Sequence, residues 1–363
     1  MATEIFRKHM IPLYEESRPP DLFLDGFFQV RPGNVSNTEK VSIDVKRRDE
    51  RIAAVVTLGE GPNYSAATQF VTKEWTPPTI EEGVPFDAVE LMKRQAGVNE
   101  YAASDVGFQA QLMARVIEEF RELSAAIGRN REWQASQVLQ TGALSLFDRD
   151  GNTFYTVNYL PETSHFPTTA NAWGGGSDTI LDDIESLADQ IRTDHLEEPD
   201  RIILGHKAYN AFRNDTGIQA QLDNRRFRVG EIAPRPMGQG AKMVGAIDVG
   251  SHQFEIWIYN GQGIKPGSAT KERYVDQDSC IIMASGGRLD KVFGGVPRPV
   301  DTDPRFAGML PGRVAVPFAA MESPNIYATP NGRQTIIELA SRPLAVPTAL
   351  DSFGCLDTLA STV

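Results

Sequence analysis

The sequence predicts an α+β fold in which strand-rich segments flank one long helix. Three observations carry this. Residues 38–75 form a ribbon with two alternating, β-branched runs, Val41–Val45 and Ile52–Leu58, around the charged segment Lys46–Arg51. Residues 104–141 place Phe108, Leu112, Val116, Phe120, Leu123 and Ile127 at spacings of three and four, the period of a helix. Residues 176–300 mix helical and buried-strand patterns, and strands return after residue 301.

In chain order, residues 1–37 mix apolar anchors with breakers: Ile11-Pro12, Pro19-Pro20, Phe27-Phe28 and Pro32-Gly33. They read as an extended arm lying across another surface, and Phe27-Phe28 needs an apolar surface to cover it. The ribbon comes next, and from Gly59 to Gln69 it is small and polar, with little to bury. A long hairpin of that kind is marginal alone in water, so another subunit is expected to supply its missing face. Trp75-Thr76-Pro77-Pro78 ends it, because proline removes ladder donors. A short helix is expected at Asp87–Arg94.

The long helix has Ser104 as N-cap and Gly142 as stop. It would span about 57 Å at about 1.5 Å per residue. Sustained heptads are missing, so it is expected to lie as a spine on a sheet. A hairpin follows, Leu144–Phe147 and Thr153–Tyr159, with Asp150-Gly151 at the turn. Trp173-Gly174-Gly175-Gly176 marks a boundary, and Ser177 caps a helix to about Thr193 that buries Ile180, Ile184, Leu187, Ala188 and Ile191. Arg201–Leu204 reads as a buried strand, His206–Asn214 as a helix and Gln219–Gln239 as a charged loop. Phe254–Tyr259 and Ser279–Ala284 are buried strands. Asn325–Thr329 and Arg333–Leu339 flank the turn Pro330-Asn331-Gly332, and Leu344–Val346 and Phe353–Leu359 close the chain.

The 363 residues suffice for two or three domains, and 41% hydrophobic content provides a real core. Net charge is −12, from 48 acids against 36 bases, which argues against a general nucleic-acid binder. The same acidity suits a surface that must not stick to packed DNA. Cys280 and Cys355 follow no metal or disulfide spacing and are expected as free thiols in a reducing cytoplasm. The N-terminal stretch is no signal peptide and no run reaches the roughly 18 apolar residues of a membrane span, so the protein is expected to be soluble.

Signals for catalysis fail one after another. There is no nucleophile elbow, phosphate-binding loop or zinc motif, and the five histidines are scattered. Asp148-x-Asp150-Gly151-Asn152 has its glycine and final ligand misplaced for calcium and reads as a hairpin turn. Adjacent acids such as Glu118-Glu119 and Asp182-Asp183 do not face each other on a helix. No cofactor, metal or catalytic residue is expected. Two charge clusters remain on segments with little core: Lys46, Arg47, Arg48, Asp49, Glu50 and Arg51, and Arg225, Arg226 and Arg228 with Glu231. Alternating signs in the first favour a complementary protein surface over phosphate, which would want one sign. With Phe27 and Phe28, these are the candidate inter-subunit contacts.

The order of parts resembles the major capsid proteins of tailed phages, and more narrowly the lambda-type, major capsid protein E family. The resemblance rests on Phe27-Phe28, then Thr38-Glu39-Lys40-Val41 and its strand, then Trp75-Thr76-Pro77-Pro78-Thr79-Ile80 and Asp87–Arg94 leading into the spine. Leu222-Asp223-Asn224-Arg225-Arg226 and Tyr274-Val275-Asp276 to Ala284 continue it, so that it covers nearly the whole chain. It implies the Hong Kong 97 capsid fold. Residues 1–37 would be the N-arm, 38–82 the E-loop, 83–175 and 301–363 the P-domain with its spine helix, and 176–300 the A-domain. The 219–240 loop would lie near hexamer and pentamer axes, and the E-loop over an adjacent subunit.

The implied function is self-assembly into hexamers and pentamers that close an icosahedral shell around double-stranded DNA, in the virion after assembly in the host cytoplasm. The implied partners are a separate scaffold, a portal, decoration proteins and DNA held without sequence-specific contacts, with no membrane. The Lys–Asn cross-linking of some relatives is not carried over. Lys46 and Lys73 lie in the E-loop, but no partner Asn or catalytic Glu is identifiable. The alternatives are an encapsulin-like cellular compartment of the same fold, and a hydrolase or transferase with a dispersed site.

Overall fold

The computed structural model describes residues 22–45, 71–87, 108–175, 179–195, 197–223, 240–301, 313–328 and 334–359. The chain opens with strands β1 (Val41–Val45), β2 (Val71–Trp75) and β3 (Ile80–Asp87). Helix α1 (Phe108–Thr141) leads into the hairpin β4 (Ala143–Phe147) and β5 (Thr153–Asn158). Helix α2 (Ile180–His195), β6 (Arg201–Leu204), α3 (His206–Asn214) and α4 (Thr216–Asp223) follow. Next come β7 (Ala241–Val249), β8 (His252–Tyr259), β9 (Gln262–Ile264), β10 (Lys271–Arg273), β11 (Ser279–Met283) and β12 (Leu289–Phe293). The last strands are β13 (Val296–Asp301), β14 (Arg313–Phe318), β15 (Ser323–Ala328), β16 (Gln334–Ser341), β17 (Pro343–Pro347) and β18 (Phe353–Asp357).

A five-stranded sheet in the order β18-β11-β6-β8-β7 is the centre of the molecule. Only β6 and β8 run parallel; the other neighbours are antiparallel. Alternation along its strands sends Ile202, Leu204, Cys280, Ile282 and Leu356 to one face, where Ile184, Ile191, Ala208 and Phe212 of α2 and α3 cover them. Ile203, Trp257, Ile281, Phe353 and Cys355 go to the other face, against Ala135, Val138 and Leu139 of α1. Both faces are therefore buried inside one chain, which is why these strands read as continuous apolar runs. A second sheet, β15-β16-β3, carries the other half of α1, with Leu123 and Ile127 packed on Ile337 and Leu339.

The spine laid on a sheet is observed, but its surface is not a single narrow stripe. Toward its C-terminal end α1 buries Ile127, Glu132, Gln134, Ala135, Ser136, Val138 and Leu139. Its polar side chains there serve neighbouring backbone. Gln134 accepts from the Ala345 amide at 3.1 Å and donates to the Pro343 carbonyl at 3.3 Å, completing the free edge of β17. Gln140 donates to the Tyr274 carbonyl and accepts from the Asp276 amide, both at 2.9 Å. A buried backbone group without a partner costs about 1–3 kcal/mol, so these amides fix the helix to its strands.

Residues 22–37 are not a free arm. They run alongside β12 of the same chain, with parallel bridges Gln29↔Asp290 and Val35↔Phe293. Arg31 Nε at 3.2 Å, Arg288 Nε at 2.6 Å, Thr348 Oγ1 at 2.7 Å and Asn34 Nδ2 at 3.3 Å all converge on Asp290, which is fully buried. The surface that the expected arm lies across is β12 of its own chain, so residues 22–37 form a strap that is a layer of the core.

Other differences have local causes. β3 was hidden by Glu81, Glu82, Gly83 and Pro85; among the described residues it pairs with β16 alone, and an edge strand tolerates proline. Residues 219–223, expected as loop, complete α4, whose amide at Ile218 is capped by Asp215 Oδ1 at 2.8 Å. Strands from either side of residue 300 pair with one another: β12 with β17, and β18 with β11 at the edge of the central sheet. Cys280 and Cys355 are free and buried; their registers, Cys280↔Leu356 and Ile281↔Cys355, put them on opposite faces. The Asp148 carboxylate accepts from the amides of Asp150 and Asn152, and Gly151 has φ +85°, so that segment is a hairpin turn. The run Ile52–Leu58, residues 88–94 and the Pro330-Asn331-Gly332 turn lie outside the described residues.

Candidate assembly site at the base of the ribbon

The ribbon's stem is the antiparallel pair β1–β2, in register from Val41↔Trp75 to Val45↔Val71. Beyond Val45 and Val71 the chain continues into residues 46–70. The near end is tied to the core by side chains the sequence places one after another. Val41 is buried in the main core, and the Trp75 ring lies 6.0 Å from that of Tyr159. The Lys40–Glu74 pair at 3.9 Å is exposed and contributes little.

Both chain ends of the ribbon meet at one knot. On the incoming side, the Gly295 amide donates to the Thr38 carbonyl at 2.9 Å. On the outgoing side, Arg342 donates through Nε at 3.2 Å and Nη2 at 2.8 Å to the Pro77 carbonyl. Its Nη1 donates to the Gly295 carbonyl at 3.0 Å, and its own carbonyl accepts from the Gly294 amide at 3.0 Å. The planar fork of arginine suits carbonyls held in fixed directions, which a lysine would not match. A Cβ on Gly295 would lie 2.5 Å from the Asn37 carbonyl oxygen, so glycine is required for this approach. The Tyr155 hydroxyl donates to the Thr76 carbonyl, and that of Tyr159 donates to the Ala345 carbonyl at 2.6 Å. Burial pushes both phenols up from their ordinary pKa, Tyr159 strongly, so they stay neutral donors. The knot holds no acid–base pair or nucleophile. It ties the near end of the β1–β2 stem to the core.

The hairpin β4–β5 lies beside the stem. Tyr155 and Val157 face inward and are half-buried, while Phe154 is 81% exposed. Just past β5, Leu160 is 80% exposed with φ +56°, a left-handed conformation in which leucine is uncommon. Among the described residues, β5 pairs with β4 alone.

Of the candidate contacts read from sequence, Phe28 is 2% exposed and Phe27 packs on the same core, under the Arg201 guanidinium at 5.5 Å. The surface covering this pair is the chain's own, so Phe28 has no side-chain area to offer a neighbour. Lys46, Arg47, Arg48, Asp49, Glu50 and Arg51 lie outside the described residues, as do Arg225, Arg226, Arg228 and Glu231. Their segments leave from the far end of the β1–β2 stem and from between α4 and β7. Sequence reasoning singled out Trp75 but missed Arg342, Tyr155 and Gly295. The one signal was a lone arginine between two apolar strands, Ser341-Arg342-Pro343.

A central sheet buried on both faces, a spine helix crossing two sheets and a hairpin stem tied to their rim make up an α+β fold of the Hong Kong 97 capsid type. The profile of the Phage major capsid protein E family matches residues 14–353, and the chain belongs to that family. Its fold is similar to a prophage protein of E. coli CFT073 described as a capsid protein, at 14% identity, 80% of each chain and a TM-score of 0.57. It is also similar to the capsid of Ralstonia phage GP4, at 13% identity over 99% of this chain and 96% of that one, with a TM-score of 0.49. A chain of Mycobacterium phage Che8 aligns over 99% of this chain and 100% of its own at 9% identity and a TM-score of 0.46. No curated protein matches in sequence. The protein is a phage capsid shell subunit and a virion component. No helix among the described residues is long and apolar enough to cross a membrane.

Proposed function

We propose that copies of this chain assemble as hexamers and pentamers that close an icosahedral shell around double-stranded DNA, with no enzymatic role. The observation that carries this is the stem at the base of the ribbon. It is hydrogen-bonded to the core through Arg342, yet it leads to residues 46–70, whose sequence offers an apolar run, Ile52–Leu58, and an alternating charge cluster but little core. A second copy supplies the face that segment lacks. In this reading 38–82 is the E-loop, 83–175 with 301–363 the P-domain, 176–300 the A-domain, and 224–239 the axial loop. Scaffold, portal and decoration proteins act as separate partners, and assembly takes place in the host cytoplasm.

The open edge of β5, with Phe154 and Leu160 beside the stem, is a second surface for a neighbouring copy. A stable interface needs about 800 Å² per partner, more than one side chain provides, so ribbon and edge act together. The net charge of −12 keeps the wall from trapping DNA phosphates. The test is Arg47→Glu with Arg48→Glu, followed by sedimentation and negative-stain microscopy. The subunit should fold with unchanged circular dichroism and fail to form closed particles. Normal shells from the double variant would refute the role of the ribbon.

A further inference from the structure

We infer that docking of the strap 22–28 onto the spine helix is linked to a proton on Glu132, acid tightening it and alkali loosening it. Glu132 is 0% exposed on α1 and lies directly beneath the strap. Its two oxygens accept the backbone amides of Leu24 and Asp25, both at 2.8 Å, and the Tyr259 hydroxyl at 2.7 Å. The nearby cations are engaged elsewhere. Lys291 from β12 binds Asp25 at 2.5 Å, and Arg131 binds Asp25 and Glu322, each at 3.8 Å. The groups around Glu132 are therefore Asp25 on the strap, Arg131 on its own helix, Lys291 on β12, Tyr259 at the end of β8 and Tyr274 stacked on Tyr259 at 6.3 Å.

Three donors favour the carboxylate, but removal of water from it outweighs them. Burial lifts its pKa from 4.5 to about 7, opposed by the bonds from Asp25, Tyr259 and Leu24 and reinforced by the Asp25 charge. Lifting the strap readmits water and returns the group toward its ordinary value. The docked state therefore holds the proton more tightly than the open one. Below pH 4.5 the docked state gains fully from this; the gain is lost as pH rises through 7. The neutral acid fits the same site, with its hydroxyl donating to Tyr259 Oη while the amides keep their acceptors.

The experiment is hydrogen exchange by mass spectrometry on the full chain, reading peptides across 22–28 from pH 5.5 to 8 and corrected for intrinsic exchange. The opening constant should rise about tenfold between pH 6 and pH 8. Burial pulls the Lys291 ammonium down, so the window stops at pH 8. Glu132→Gln, neutral at every pH, should flatten the profile. If that variant does not fold, Tyr259→Phe removes a donor that favours the charge and should move the rise to higher pH. A flat wild-type profile, an unchanged slope in Glu132→Gln, or an unmoved rise in Tyr259→Phe would overturn the inference.

Discussion

Arg342 tests whether the mounting of the ribbon matters for assembly separately from the stability of the subunit. Replacing it by alanine removes three donated bonds, two to the Pro77 carbonyl and one to that of Gly295. Bonds with a charged partner contribute about 1.5–3 kcal/mol each, but two share one acceptor and the guanidinium is partly solvated. The net loss should be about 3 kcal/mol, counting two acceptors at the lower figure. At about 2 °C per kcal/mol for a large chain, the unfolding temperature should fall by about 6 °C. Arg342→Lys keeps the charge and reaches one carbonyl at a time, so it should lose roughly half as much. Ile127→Val, in the core between α1 and β16, costs about 0.5–1.5 kcal/mol and provides a comparison near the lysine variant. Thermal unfolding and particle yield by sedimentation are measured for all three. Particle yield should collapse for Arg342→Ala and fall for Arg342→Lys, while Ile127→Val assembles normally. If Ile127→Val loses yield in proportion to stability, or Arg342→Ala assembles like wild type, the knot has no directing role.

Two further outcomes concern the edge of β5 and the thiols. Phe154→Asp should leave the unfolding temperature within about 1–2 °C, since an exposed change costs less than about 0.5 kcal/mol, yet reduce particle yield. At about 25 cal/mol per Å², covering most of an aromatic side chain of roughly 200 Å² is worth about 4 kcal/mol per contact, so unchanged yield would remove this edge from the assembly surface. Cys280 and Cys355 should resist alkylation at pH 8 in the native chain and react at once in urea. Burial pushes Cys355 up to about 12 and Cys280 well above its ordinary value, leaving almost no thiolate; rapid native labelling of either would contradict their placement.

Much of the fold was readable where one physical signal dominated. α3 was read at its observed bounds because Ala208, Ala211 and Phe212 keep a helical period. β6 and β11 stood out as apolar runs because both of their faces are buried. β3 and the β13–β14 pair were not readable, because prolines at 85, 297, 299 and 317 break the pattern and pairing with other strands overrides it. The buried acids were the larger omission. Glu132 directly follows Arg129-Asn130-Arg131 and was not singled out, yet Gly128, Glu132, Ala135 and Leu139 are spaced four, three and four apart. That second stripe places an acid on a buried face, and it is the signal that would have found it. Arg342 gave less, because its acceptors are backbone carbonyls far away in sequence and no side-chain pattern marks them.

The core of the described residues is complete within one chain. The central sheet buries both faces within one subunit, and the strap closes over the spine from the same chain. Among the described residues the core is therefore packed without a neighbouring copy. This separation has a kinetic consequence. If the ribbon's contacts with a neighbour contributed to the subunit's own fold, each wrong contact would cost a partial unfolding to reverse. In the assembly proposed above, the stem is tied to a finished core at Arg342, Gly295 and Tyr155, and a misplaced neighbour would dissociate at the cost of its interface alone. Many weak contacts per subunit can then be sampled and corrected before the shell closes, and their sum holds it afterwards.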